Sequence, residues 1–138
     1  MVIDTSALLA ILEDEPERRA FNECIQNDPK RFISAATLLE AGIVVEARRG
    51  EPGGRELDLL LHRSRFDVVA VDADQAEIAR AAFRAYGKGG HTAGLNFGDC
   101  FAYALARALD EPLLYKGVDF AKTDLLPAHG LEEDTEPE

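Results

Sequence analysis

The sequence predicts a single α/β domain built on a four- or five-stranded parallel sheet flanked by helices. Three observations carry that expectation. Short apolar runs, MVID, RFISA, DVVAV and PLLYKG, alternate with stretches of helical period, and parallel strand pairs need such crossovers. The chain has 138 residues, 46% of them hydrophobic, which suits one buried core. Neither an internal repeat nor a long interior linker divides it.

MVID reads as a buried strand ending in an acid, followed by a turn with Thr5 or Ser6 as N-cap and the helix ALLAIL. Pro16 opens a second helix, with Ala20, Phe21, Cys24 and Ile25 on one face. RFISA is the second strand. From Ala36 to about Arg49, Leu38, Leu39, Ile43, Val44 and Ala47 give a broad apolar face, and their period outweighs the modest helix propensity of Val and Ile. Gly50 stops that helix, EPGG reads as a linker, and a further helix spans about Arg55 to Arg63. DVVAV (67–71) is the third strand. An alanine-rich helix from Asp74 to Tyr86 ends in the glycine-rich GKGGHTAGLNFG. Asp99 to Leu109 forms the next helix, with Phe101, Ala104, Leu105 and Ala108 at helical spacing, and PLLYKG then leads into VDFAKTD.

The charge is strongly acidic, 26 Asp and Glu against 15 Lys and Arg, for a net −11 at pH 7. Such a balance argues against a simple electrostatic nucleic-acid binder. It is also uneven: residues 132–138, EEDTEPE, hold five acids and no base, and the preceding 1–131 carry only 21 acids against 15 bases. The tail is expected to be disordered and the domain to occupy 1–131. What remains is mildly acidic and leaves room for a local basic path. No apolar run nears the roughly 20 residues that span a bilayer. The first residues lack a basic n-region, so no signal peptide is expected. Two cysteines, Cys24 and Cys100, make neither a disulfide scaffold nor a zinc site, and a reducing cytoplasm is the expected compartment.

Four acids stand out by position. Asp4 ends the first strand, Glu40 lies about one turn into its helix, Asp99 stands in the first turn of another, and Asp119 follows the last strand. In open α/β sheets the binding crevice lies outside the carboxyl ends of the strands. Taken singly, Asp99 reads more readily as a helix cap, Asp119 as a turn residue and Glu40 as a solvated helix acid, since most acids are surface residues. Together the carboxylates would raise one another's pKa unless a cation sat among them. Mg²⁺ takes oxygen ligands and few direct carboxylates, and it suits hydrolysis of a phosphodiester by an activated water.

Four segments, VIDTSALLAIL, ATLLEAGIVVEAR, LNFGDCFAYALA and LLYKGVDFAKTD, stand in an order and at separations that resemble the PIN-domain ribonucleases, specifically the VapC toxins of VapBC toxin–antitoxin pairs. The resemblance runs from Met1 to about Leu126. It implies a Rossmann-like, three-layer PIN fold, a Mg²⁺-dependent (or Mn²⁺-dependent) endoribonuclease, a cognate VapB antitoxin that blocks the site, and a homodimer. A tRNA is among the substrates it admits. Carried over by residue, the first three acids fall on Asp4, Glu40 and Asp99. Many relatives have an acid where this chain has Gly117, so Asp119 is the leading candidate for the fourth and Asp124 the alternative. Asp4 and Asp99 would be the primary metal ligands, completed by Glu40 and Asp119, and Thr5, Ser6 and Asn96 would brace them.

Other features weigh less. GKGGHTAG lacks P-loop spacing, and no GxGxxG follows the first strand. Arg48, Arg49, Arg84, Lys88 and Lys116 are candidates to line an RNA path, Lys116 foremost because it adjoins Asp119. His62 and His91 read as surface or loop residues, and Cys100 as a buried structural thiol. A metal-dependent phosphatase or DNA nuclease, or a non-catalytic module whose acidic pocket takes a basic peptide, are the competing readings.

Overall fold

The computed structural model describes residues 1–129; the acidic tail lies outside them. Four parallel strands, β1 (Val2–Ile3), β2 (Phe32–Ser34), β3 (Asp67–Val69) and β4 (Leu113–Leu114), stand in the order β3-β2-β1-β4. A fifth strand is represented among the described residues only by a single parallel bridge, Leu113 to Pro127, at the β4 edge. Successive strand residues face opposite layers, as a pleated backbone requires. Ile3, Ile33 and Leu114 pack with α1 (Thr5–Leu12), α2 (Arg18–Asn27) and α3 (Ala35–Arg63). Val2, Phe32 and Leu113 pack with α4 (Ala73–Tyr86) and α5 (Phe97–Leu109). The result is the expected three-layer α/β arrangement.

Several elements differ from the reading of the sequence. The N-cap of α1 is Asp4 rather than Thr5 or Ser6, because its carboxylate accepts the Ser6 backbone N–H at 3.0 Å. The EPGG segment is helical, not a linker. Gly50 alone leaves helical geometry (φ 67°, ψ −161°), and Pro52 falls in the first turn after the break, where proline's missing N–H costs nothing. The two arms of α3 then fold against each other at Gly53, where a Cβ would stand 2.8 Å from the Val45 carbonyl oxygen. In the first arm Thr37, Ala41 and Val45 are buried, whereas Leu39 and Ile43 are 64% and 60% exposed. β3 ends at Val69, two residues short of DVVAV, and α5 begins two residues before Asp99 because Asn96 caps it.

Candidate metal and phosphodiester site

The chain passes from β1 outward to β2 and β3, then returns to the other side of β1 to form β4. That reversal opens the crevice beside the carboxyl ends of β1 and β4. Asp4 leaves β1 there, its backbone N–H bound to the Leu114 carbonyl at 2.9 Å. Because β2 pairs with β1, α3 also starts at this edge and carries Glu40 into it. The N-terminus of α5 brings Asp99, and the loop after β4 brings Asp119, which precedes a single 3-10 turn (Phe120–Lys122).

Asp4 is buried. Its Oδ2 accepts from the Ser6 Oγ at 2.7 Å as well as from the Ser6 N–H. The same Ser6 Oγ accepts the Lys116 backbone N–H at 3.0 Å, so one hydroxyl ties the first acid to the β4 exit loop. Burial, against the pull of the Ser6 hydrogen bonds and with Asp99 and Glu40 adding to it, pushes the Asp4 carboxyl up to about 6. Asp99 and Asn96 form a reciprocal capping box: Asn96 N–H donates to Asp99 Oδ2 at 3.0 Å, and Asp99 N–H to Asn96 Oδ1 at 2.9 Å. Burial raises the Asp99 carboxyl too, opposed by the Asn96 hydrogen bond and reinforced by the charges of Asp119 and Glu40. Glu40 is held by the Thr5 hydroxyl, which donates to Oε1, while Oε2 lies against Gly98.

The four acids therefore feel one another. Their donors are all oxygen, and a neutralising cation would relieve the repulsion recorded at Asp4 and Asp99. Among the described residues no three His, Cys, Asp or Glu groups converge on one metal-sized point. The fit to a metal rests on donor chemistry alone: carboxylate oxygens suit a hard divalent ion, which can keep several waters and take one or two carboxylates directly.

Asp124 stands apart: its Oδ1 accepts the Tyr103 hydroxyl at 2.6 Å and its Oδ2 lies 3.6 Å from Arg107. Lys116, although beside the site, directs its Nζ to Glu15 and Glu17. Arg48 pairs with Glu13 and Arg49 with Glu56, whereas Lys88 and Arg84 are exposed and carry no ion pair among the described residues. The His91 Nδ1 accepts the Ala93 N–H at 2.9 Å, so that ring shapes its own loop, and His62 is exposed near the end of α3. Burial, and then Asp99, pushes the Cys100 thiol up, away from nucleophilic character. Gly98 was invisible to sequence reasoning, since only the packing of α5 on α3 shows that it seats Glu40.

The PIN domain family matches residues 1–126. The chain belongs to that family. Within it, the sequence is 60% identical to Ribonuclease VapC30 of Mycobacterium tuberculosis over 125 residues, 91% of this chain and 95% of the relative, which places it among the VapC proteins. Its fold is similar to the crystal structure of Mycobacterium tuberculosis VapC20, a sarcin-ricin loop cleaving toxin, with TM-score 0.75 at 17% identity, covering 94% and 98% of the two chains. It is also similar to a chain of VapBC2 from Rickettsia felis bound to a promoter DNA fragment, with TM-score 0.69 at 17% identity, covering 91% and 94%.

In this VapC-family chain the Gly98 seat is testable. A Cβ there would stand 1.9 Å from Glu40 Oε2, the far end of a flexible side chain. Gly98→Ala should therefore leave stability within about 1 kcal/mol yet displace the carboxylate, lowering turnover by up to about 10²-fold. Thermal unfolding and cleavage rates measured side by side check it, and an unchanged rate would show that the position of Glu40 is dispensable.

Proposed function

We propose that this protein is the toxin of a VapBC pair, an endoribonuclease that hydrolyses RNA phosphodiesters with Mg²⁺ (or Mn²⁺) as cofactor. The observation that carries the reading is the gathering of Asp4, Glu40, Asp99 and Asp119 at the β1–β4 crevice in a chain 60% identical to a ribonuclease over 91% of its length. When bound, a divalent cation lowers the pKa of water and polarises a phosphoryl oxygen. Asp4 and Asp99 would hold the ion directly, and Glu40 and Asp119 would hold the waters around it. Ser6 fixes the Asp4 carboxylate, Thr5 fixes Glu40, and the Asn96 cap fixes Asp99.

A cognate VapB antitoxin is the proposed partner, supported by the VapBC complex among similar structures. An arginine-bearing segment of it would be drawn to the uncompensated acids. A homodimer is the proposed working unit, and the exposed Leu39 and Ile43 supply an apolar face for it. The proposed compartment is the cytoplasm; no helix of the described residues is long and apolar enough to cross a membrane.

The test is cleavage-site mapping on total RNA with purified protein. Discrete cuts are expected with Mg²⁺ or Mn²⁺ and none in EDTA. Cleavage of DNA alone, hydrolysis of phosphate monoesters alone, or no metal-dependent turnover on any nucleic acid would overturn the reading.

A further inference from the structure

The acid cluster explains the chemistry but not how a polyanionic strand is held beside it. Among the described residues, eight of the fifteen Lys and Arg form ion pairs, and Arg31 spends its guanidinium on three backbone carbonyls. Arg63 and Arg65 lie at the end of α3, before β3. The remaining four, Arg80, Arg84, Lys88 and Lys122, are exposed and have no ion pair among the described residues. Arg80 and Arg84 are four residues apart on α4 and therefore share a face. They line a shallow depression of about 540 Å³ with Ile78, Ala81 and Glu77, and that glutamate pairs with neither arginine. Lys88 follows the end of the helix, and its N–H donates to the Leu95 carbonyl at 2.8 Å, next to the Asn96–Asp99 capping box. Lys122 comes three residues after Asp119, and its Nζ donates to the Thr92 carbonyl at 3.3 Å, tying the 3-10 turn to the same loop.

In a chain of net charge −11, four cations with no ion pair among the described residues, two on α4, one in the loop that leads to Asn96 and one in the 3-10 turn after Asp119, point to an anionic ligand. Resting on the functional reading above, we propose that Lys88 and Lys122, continued by Arg84 and Arg80 along α4, form the phosphate track on which the RNA substrate lies as it leaves the acid cluster. Lys116, tied to Glu15 and Glu17, stays outside it. The track contacts backbone and not base edges, so it supplies affinity without sequence preference.

The experiment measures binding of a short mixed-sequence single-stranded RNA by fluorescence anisotropy, in EDTA, across a range of KCl concentrations. The protein carrying Arg84→Gln, Lys88→Gln and Lys122→Gln is compared with wild type and with Arg55→Gln and Arg63→Gln. Each phosphate contact on a single strand contributes about 0.7 to the logarithmic salt slope, or about fivefold in affinity at 0.1 M salt. The triple variant should therefore bind about 10²-fold more weakly, with a slope shallower by about 2, while the two controls match wild type. The substituted side chains are exposed and have no ion pair among the described residues, Lys122 gives up one hydrogen bond to the Thr92 carbonyl, and coincident thermal unfolding curves confirm the fold. Wild-type cleavage with Mg²⁺ is scored separately: its absence sinks the functional reading, whereas cleavage with undiminished RNA affinity in the triple variant sinks the track alone. A triple variant that instead loses only a protein partner also overturns the assignment, because the face then serves the antitoxin.

Discussion

Replacing Asp99 with asparagine should lower metal-dependent RNA cleavage by more than about 10²-fold while leaving the fold in place. The exchange removes one charge and no packing volume. An asparagine Oδ1 still accepts the Asn96 N–H, and Asn96 still caps α5 through its own side chain, so the capping box keeps its geometry. What the helix loses is a carboxylate in its first turn, where the macrodipole favours negative charge by about 0.3–1 kcal/mol. What it gains is relief from the charges of Asp119 and Glu40, which act against the ionised form at this position. The two effects oppose each other, and stability should shift by less than about 1 kcal/mol. Activity has no such compensation. Loss of a group that merely orients a metal ligand costs about 10–100-fold, and loss of the direct ligand that Asp99 is proposed to be should cost more. Initial cleavage rates at saturating Mg²⁺, with denaturant unfolding of the same preparation, test both halves. Near-normal turnover in a folded Asp99→Asn protein would remove Asp99 from the metal site.

Much of this site is legible in the sequence because each acid sits at a punctuation point. Asp4 closes a short apolar run, and Asp99 stands three residues after Asn96, a residue type favoured at helix N-caps. Glu40 is legible only conditionally: nothing local says which strand lies beside β1, and the β1–β2 pairing supplies that condition. The ambiguity between Asp119 and Asp124 has the same origin. Asp124 is tied to Tyr103 and Arg107, contacts between α5 and the C-terminal segment that leave no periodic trace. The cations behave likewise. Lys116 looks like the best substrate ligand by its nearness to Asp119, yet Glu15 and Glu17 hold its ammonium, and that contact crosses a hundred residues. The helical hairpin of α3 hid for another reason. Glycine and proline together signal a linker, but here proline starts a helix and Gly53 lets its backbone touch the preceding one.

A buried acid that is proposed to hold a metal should burden the metal-free protein, and Asp4 is where that burden is measurable. Its carboxyl is pushed from 3.8 to about 6, chiefly by burial, so the fold prefers the protonated form and folding takes up a proton between about pH 4 and pH 6. The sign follows directly. Below about pH 4 Asp4 is protonated in both states and costs nothing. Between about pH 4 and pH 6 the unfolded chain ionises the group while the folded protein still holds its proton, so about 3 kcal/mol is lost progressively across that window and the loss stays constant above it. Asparagine imitates the protonated acid and still accepts the two Ser6 hydrogen bonds through its carbonyl oxygen. In EDTA at pH 8, Asp4→Asn should therefore be more stable than wild type by about 3 kcal/mol, or about 10 °C in Tm, and the gap should close toward pH 4. Added Mg²⁺ should raise the wild-type Tm and move the variant much less, because the variant has lost the charge that draws the ion. Urea unfolding at pH 4, 6 and 8, with and without Mg²⁺, separates these effects. A wild type as stable as the variant at pH 8 in EDTA would mean that water or a rearranged crevice already solvates Asp4. In that case the carboxylates would not be under the mutual strain that a bound cation is proposed to relieve.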